Sequence, residues 1–458
     1  MSSILSALID TLGLDAVRSG TQIEPRYLGD WSGRTEATPL AVVLPRGVEE
    51  VSALLTICHE ARQSVVPQGG RTGLVGGAIP SAGAVVVSLE RMSRIEEIDA
   101  AAASMTVQAG ATLQSVQEAA AEAGFDFALD LGARGSCQIG GNLATNAGGH
   151  RVLQSGSARD QVLGLEVVLA DGSIVNSLHK MLKNNTGYDL RHLFIGSEGT
   201  LGIITRAVLR LRPRRAAPST ALCALDHYDD AVALLRSLQT RCGDDIGAFE
   251  VMWPDFYAFG VAASRAKRAP LVGDHPLYVL IERAGFADAG GEPFAAALND
   301  SLEAGRLRDV VMAQSSTEAR SLWSIREATG DFAGRIEPIN FDVSLPIADI
   351  GRFVAACRDA LERAWPGCRG LYFGHIGDSN LHVTIDAQSI AAGSAEAVDR
   401  LLYGLVRDYQ GSISAEHGIG SLKREFLGYS RSDGEIACMR AIKQALDPRG
   451  IMNPGKLL

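Results

Sequence analysis

Glycine is concentrated in three short stretches, 69–77, 132–149 and 196–202, and these limit the possible folds more than any other feature of the chain. Backbone of this kind cannot fill a core. It can approach a ligand closely and adopt positive φ without steric cost. It therefore needs strands and helices with a core of their own to hold it. The first loop, Pro67–Pro80, follows directly on the apolar run 64–67. Consecutive amides in such a loop make a concave anion site. Its glycines do not follow G-x-G-x-x-G and the lysine of a P-loop is missing, so a plain surface turn is the competing reading. The second, Leu131–Gly149, carries hydroxyl and amide groups with almost no bulk. That composition suits backbone running along a flat ring with polar edges, and loops this long in a compact unit are usually functional. The third, Phe194–Ile204, leads into a strand.

The 458 residues exceed one ordinary domain and fit two or three packed units. Strands are expected at 41–43, 64–67, 84–89 and 105–109, the last half-buried because its side chains alternate. Helices are expected at Val48–Arg62 and Leu113–Ala123. Asp171-Gly172 between apolar runs predicts a hairpin. A strand over Ile203–Leu211 is expected to close at Pro213, and 212–219 reads as a boundary. Beyond it, helices at Tyr228–Gln239, Ser321–Ala333, Phe353–Ala364, Ser394–Tyr409 (with Ser394 as N-cap) and Gly434–Leu446 alternate with strand-like runs at Pro276–Arg283 and Leu371–Ile385. This predicts an antiparallel sheet covered by helices.

A net charge of -10 excludes nucleic acid as a natural partner, since an acidic surface repels phosphate backbones. Seven cysteines without a C-x-x-C pair read as buried free thiols in a reducing compartment. The first ten residues lack a basic region and a long apolar run, so no secretory signal is expected. No apolar stretch is long enough to predict a membrane span. The expected location is the cytoplasm, with peripheral attachment to the inner membrane left open.

The three loops together resemble the FAD-binding domain of the vanillyl-alcohol-oxidase superfamily. The segments Gly135–Gly149 and Ser197–Ile203, with the tail Met452–Leu457, are most similar to its D-2-hydroxyglutarate and D-lactate dehydrogenase branch. The resemblance covers nearly the whole chain. It implies an α+β fold: a two-part FAD-binding domain at 36–215 and a substrate and metal domain at 216–420 built on the antiparallel sheet. A helical segment at 1–35 precedes them, and a helical segment at 421–458 returns to the FAD domain. It places the FAD pyrophosphate on Gly69, Gly70, Arg71, Thr72 and Gly73. The rest of the FAD falls to Ser136, Gly141, Asn142, Thr145, Gly148, Gly149, Glu198, Gly202, Ile204 and Asn453. Gln138 cannot form a covalent tether and no histidine lies inside the first two loops, so non-covalent FAD is expected.

His375 and His382 flank Gly377-Asp378-Ser379-Asn380 between two apolar runs. A hairpin turned there brings two imidazoles toward each other, the start of a divalent metal site or simply two half-buried histidines. Glu416 is the candidate third ligand. Two histidines and one carboxylate leave positions open for substrate oxygens, as a catalytic metal requires. The dehydrogenase branch carries the same H-x-G-D-x-N-x-H and E-H-G-I-G elements, which favours the metal. Zinc suits these ligands, with manganese and iron as alternatives. The other histidines, His150 among them, show no partner pattern and read as surface or packing residues.

The resemblance further implies that His417 is the base and contacts substrate, and that Arg326 clamps the substrate carboxylate, helped by Thr329. A guanidinium can do so with two parallel bonds. Two positions depart from the 2-hydroxyglutarate enzymes. Asn340 stands where they carry a lysine, and Thr384 where they carry an asparagine. Losing a cation weakens the case for a dicarboxylate and leaves D-lactate or another D-2-hydroxy acid open. The implied reaction is oxidation to the 2-oxo acid, with proton transfer to His417 and hydride transfer to flavin N5, assisted by the metal. Electrons then pass to an acceptor such as an electron-transfer flavoprotein, a quinone or a cytochrome. A homodimer is an open expectation. The competing readings are an oxidase of the same superfamily acting on another alcohol, and a non-catalytic flavin subunit of a larger complex.

Overall fold

A computed structural model describes residues 3–35, 37–216, 218–264, 268–285 and 292–458. Glu36, the first residue of the expected FAD domain, and Ala217, inside the expected boundary, lie outside the described residues. The chain forms two compact units. The first comprises Met1–Gly149, Gly156–Arg214 and Glu416–Leu458, and the second His150–Ser155 and Arg215–Ala415.

The first unit holds two main sheets. Strands β1 (Val17–Arg18), β2 (Ala41–Val43), β3 (Val65–Gln68) and β4 (Val85–Ser88) are ordered β1-β2-β4-β3. β2 and β3 both run parallel to β4. The helix Val48–Glu60 connects β2 to β3. Val85, Val86 and Val87 are all buried, as strands covered on both faces require. Strands β5 (Ile95–Asp99), β6 (Ser104–Gln108), β8 (Val162–Val168), β9 (Ile174–Ser177) and β10 (Ile203–Arg210) form an antiparallel sheet ordered β5-β6-β10-β8-β9. Every residue of β6 is buried, where alternation predicts a half-buried strand. Met105 and Val107 enter the core, and on the other face the Gln108 side chain is covered by its hydrogen bonds with the Arg94 amide and Glu96. The strand run breaks at Leu211 and ends at Pro213. Pro213 pairs with Phe125 in a two-residue ladder between β7 (Phe125–Asp126) and β11 (Arg212–Pro213).

The last segment of this unit contributes the helix Asp433–Leu446, started by a capping box between Ser432 and Glu435. The chain then lies beside β3. The Val65 amide donates to Ile451 O at 2.8 Å, and the Asn453 amide to Val65 O at 2.8 Å.

The second unit is a seven-stranded antiparallel sheet. Its strands are β12 (Ser219–Leu225), β13 (Ile246–Met252), β14 (Leu277–Arg283), β15 (Asp309–Met312), β16 (Pro338–Ser344), β17 (Gly370–His375) and β18 (Asn380–Asp386). They are ordered β15-β12-β14-β13-β17-β18-β16. Helices accompany the sheet. In Ile350–Ala364 the buried residues Ile350, Phe353, Val354, Cys357 and Leu361 recur at helical spacing and form one apolar stripe. The helix expected over Ser321–Ala333 begins earlier, at Ser316, where the Ser315 side chain accepts from the Glu318 amide at 3.2 Å. It ends at Arg326, and a 3-10 segment, Ala328–Gly334, follows. Ser394 occupies the N-cap of Ala395–Asp408 but makes no capping bond with its side chain. Among the described residues no helix is long and apolar enough to cross a membrane.

Candidate active site

In the first unit the glycine stretches pack backbone against backbone. A side-chain carbon on Gly69 would lie 3.3 Å from Gly141 Cα, and one on Gly70 only 2.1 Å from the Ser136 carbonyl oxygen. Gly199 closes on the Pro67 ring, where an added carbon would be 2.5 Å away. Arg71 takes a left-handed φ of 58°, and its guanidinium donates to Gly69 O at 3.2 Å. The backbone amides of 70–73, Thr72 and Gly73 included, donate to no acceptor among the described residues. A curved run of free amides is what an anionic phosphate needs.

Other residues expected to hold cofactor have visible local roles. Asn142 Nδ2 reaches Cys137 Sγ at 3.6 Å, and Thr145 Oγ1 donates to Gly141 O at 3.2 Å, both tightening the helix Ile139–Ala144. Gly148 and Gly149 are buried, and the Gly149 amide donates to Glu416 Oε1 at 3.1 Å. Gly202 fits tightly against Val167, and Ile204 belongs to the core. Glu198 uses both carboxylate oxygens on the 418–420 turn, accepting from the Ile419 amide at 2.8 Å and the Gly420 amide at 2.7 Å. Burial pushes its carboxyl up against those two amides. Asn453 Nδ2 donates to Glu198 O at 2.8 Å and Gly77 O at 3.1 Å. Gln138 Oε1 and Asn453 Oδ1 are buried and accept no hydrogen bond among the described residues. Free amides for phosphate and buried acceptors for ring or hydroxyl donors together fit a dinucleotide such as FAD.

In the second unit, adjacent strands place the histidines. The register sets Glu250 of β13 opposite His375 of β17, and Asp342 of β16 opposite His382 of β18. His375 and His382 face each other with ring centroids 5.3 Å apart and planes at 82°. A nitrogen of each ring lies within 4.8 Å of the other. His375 Nδ1 is 2.5 Å from Glu250 Oε1, and His382 Nδ1 is 3.7 Å from Asp342 Oδ1. Arg326, the last residue of its helix, is buried. Its Nε donates to Glu250 Oε2 at 2.6 Å, and its Nη2 lies 3.4 Å from His375 Nε2.

Burial works against an ionised Glu250, but Arg326 and His375 outweigh it and hold this carboxyl well below the usual range. Burial lowers His375, against the pull of Glu250. Asp378 in the hairpin turn is pushed up to about 7, first by burial and then by Glu250 and Asp342. Thr384 lies opposite Asn340 and donates to its Oδ1 at 2.8 Å. Thr329 is half-buried in the 3-10 segment that follows Arg326.

Glu416 and His417 belong to the first unit, beside the turn held by Glu198. The Glu416 carboxylate and a His417 ring nitrogen lie within 4.8 Å of each other.

Three residues of this neighbourhood are not evident from sequence. His150 reads as a surface or packing residue, yet its ring is 4.9 Å from His375 and 5.4 Å from Trp323, centroid to centroid. Glu250 and Asp342 each carry a charge inside a buried strand, and that was the available signal. His150, Glu250 and His375 also bring potential ligand atoms within 4.8 Å of one another. Arg326 and His375 Nδ1 already occupy the two Glu250 oxygens, so this group is a hydrogen-bonded knot and not an open ligand set.

The family of C-terminal domains of FAD linked oxidases matches residues 214–457, and the FAD binding domain family matches residues 39–177. A D-2-hydroxyglutarate dehydrogenase of Xanthomonas citri pv. viticola is 41% identical over 436 residues, 94% of this chain and 92% of that protein. The mitochondrial D-2-hydroxyglutarate dehydrogenase of Bos taurus is 36% identical over 440 residues, covering 95% and 80%. The D-2-hydroxyglutarate dehydrogenase of Stutzerimonas stutzeri is 35% identical over 436 residues, covering 94% and 93%. Among solved structures, p-cresol methylhydroxylase with substrate bound superposes with a TM-score of 0.79 at 17% identity, covering 99% of this chain and 96% of that one. The 4-ethylphenol oxidase from Gulosibacter chungangensis gives 0.74 at 19%, covering 100% and 96%. These two show a shared fold, and the closer sequence relatives show more: the chain belongs to the FAD-linked oxidoreductases of vanillyl-alcohol-oxidase type, in the D-2-hydroxy acid dehydrogenase branch.

Proposed function

We propose that this dehydrogenase oxidises a D-2-hydroxy acid to the 2-oxo acid, with non-covalent FAD and a divalent cation held by His375, His382 and Glu416. Residues 36–215 and the returning segment 421–458 hold the FAD, and 216–420 supply most of the substrate site. The observation that carries this reading is in the second unit. Two facing imidazoles, which suit a cation, stand beside a buried guanidinium, which suits a carboxylate, and Arg326 Nη2 is 3.4 Å from the nearer ring. A 2-hydroxy acid offers both partners on adjacent carbons. When bound, FAD takes up a hydride and the cation acts as a Lewis acid toward the 2-hydroxyl. Arg326 orients the carboxylate, with Thr329 nearby. His417 takes the hydroxyl proton as the general base.

The substrates named for the relatives point to D-2-hydroxyglutarate as the first acid to test. The Asn340–Thr384 pair is uncharged, which favours an acid without a second carboxylate, such as D-lactate. Zinc is the first cation to test, then manganese and iron. The electron acceptor is proposed as an electron-transfer flavoprotein, a quinone or a cytochrome.

The test is anaerobic mixing with D-2-hydroxyglutarate, D-lactate, D-malate and their L-enantiomers, followed by flavin absorbance. A D-acid should bleach the flavin while its enantiomer does not, and air should restore the colour only slowly. His417→Ala should slow bleaching by about 10²–10⁴-fold. No bleaching by any D-2-hydroxy acid in the metal-loaded enzyme would refute the reading.

A further inference from the structure

We propose that Glu250 is a positioning residue that couples the metal-binding imidazole of His375 to the carboxylate-binding guanidinium of Arg326. The inference rests on the roles proposed above for those two residues. Glu250 is fully buried on β13, where its neighbours Phe249, Val251 and Met252 are apolar and buried too. A buried carboxylate persists only when it is paired and hydrogen-bonded. Here each oxygen has a separate partner: Oε1 meets His375 Nδ1 at 2.5 Å, and Oε2 accepts from Arg326 Nε at 2.6 Å. The partnership is set by the backbone, since the ladder places Glu250 directly opposite His375.

The geometry also fixes the tautomer. A guanidinium only donates, so His375 Nε2, at 3.4 Å from Arg326 Nη2, is the ring's acceptor nitrogen. The ring proton is then on Nδ1 and points at Glu250. The Nε2 lone pair thus faces away from Glu250, and a cation bound there would replace the Arg326 Nη2 contact; a carboxylate behind the opposite nitrogen raises a ligand's basicity and holds its orientation. The same carboxylate anchors Arg326 through Nε, so an incoming carboxylate would meet the terminal nitrogens, Nη2 in exchange for its contact with His375. His150, edge-on to His375 and to Trp323, lies beside the same carboxylate, its Nδ1 3.7 Å from Glu250 Oε1. One buried group thus sets the direction of both the cation site and the anion site.

A role limited to neutralising Arg326 would make Glu250 matter for stability and leave metal affinity untouched. The two are separated by measuring zinc and manganese affinity of the flavin-loaded protein, by chelator competition and by metal content after dialysis. Wild type, Glu250→Gln, His375→Ala and the double variant are compared. Glu250→Gln should weaken metal binding by about 10–100-fold and raise KM for the acid. In the His375→Ala background the same change should have little further effect on metal affinity, because its route runs through that ring. Wild-type metal affinity in Glu250→Gln, or a loss that adds in full to that of His375→Ala, overturns the proposal. If Glu250→Gln fails to retain flavin, Glu250→Asp replaces it. The shorter acid should keep the flavin band and bind metal more weakly, and unchanged affinity there would equally overturn the proposal. Wild-type protein that holds flavin but neither metal would instead remove the histidine-pair reading, and this inference with it.

Discussion

Asn340 and Thr384 are separated by 44 positions in sequence and meet as directly opposed residues of β16 and β18. The two positions expected to depart from the 2-hydroxyglutarate enzymes are thus direct neighbours. Thr384 is buried, and its hydroxyl is satisfied by the Asn340 side chain. A lysine at 340 could not accept that bond, and an unsatisfied buried hydroxyl costs about 1–3 kcal/mol. A change at one position therefore alters the partner of the other. The double substitution Asn340→Lys with Thr384→Asn should restore a cation and an amide where a second carboxylate would lie. The ratio of kcat/KM for D-2-hydroxyglutarate to that for D-lactate should rise by about tenfold, corresponding to about 1.4 kcal/mol for one added charged contact. An unchanged ratio, with both variants folded and flavin-loaded, would place the specificity elsewhere.

Between residue and fold, the loops act through their contacts. Gly70 is the tightest point between the first two, and the atoms it meets are backbone, the Ser136 carbonyl and Cys137 Cα at 2.7 Å from an added carbon. Backbone cannot rotate out of the way as a side chain can. Gly70→Ala should therefore cost about 1–3 kcal/mol and weaken FAD binding to apoprotein by at least about tenfold. Gly132→Ala is the control, since a carbon there meets nothing within 4 Å. FAD titrations that failed to separate the two variants would show that this contact does not shape the cradle. The contrast marks how far the sequence could be read. Glycine clusters, the Asp171-Gly172 hairpin and the His375–His382 hairpin are local patterns, and local patterns survive in a sequence. That Gly70 lies on Ser136, or that Glu250 lies on His375 across 125 positions, is a product of strand order and register. The same limit explains β6: its alternation was readable, but the groups that cover its polar face, Glu96 and the Arg94 amide at Gln108 among them, were not.

On the scale of the whole chain, the first unit is assembled from three separated segments. Its final segment is built into the first two. Ile451 and Asn453 bond to Val65 of β3. Lys443 Nζ donates to Thr200 O at 2.7 Å and Met452 O at 2.8 Å, and the 418–420 turn sits on Glu198. A protein ending at Arg214 would keep all three glycine loops yet lose every one of these anchors. The edge of β3 would be uncovered, and the Glu198 carboxylate would be left without its two amide donors. Such a truncated chain should bind FAD poorly or precipitate, even though it contains the whole stretch matched by the FAD binding domain family. Joining 416–458 to it through a flexible glycine-serine linker of about 20 residues, whose mean span is about 25 Å, should recover a yellow protein. FAD content and melting temperature of the two versions decide the matter. Equal FAD content would show that the returning segment is dispensable for the cradle and that the loops are held by the first two segments alone.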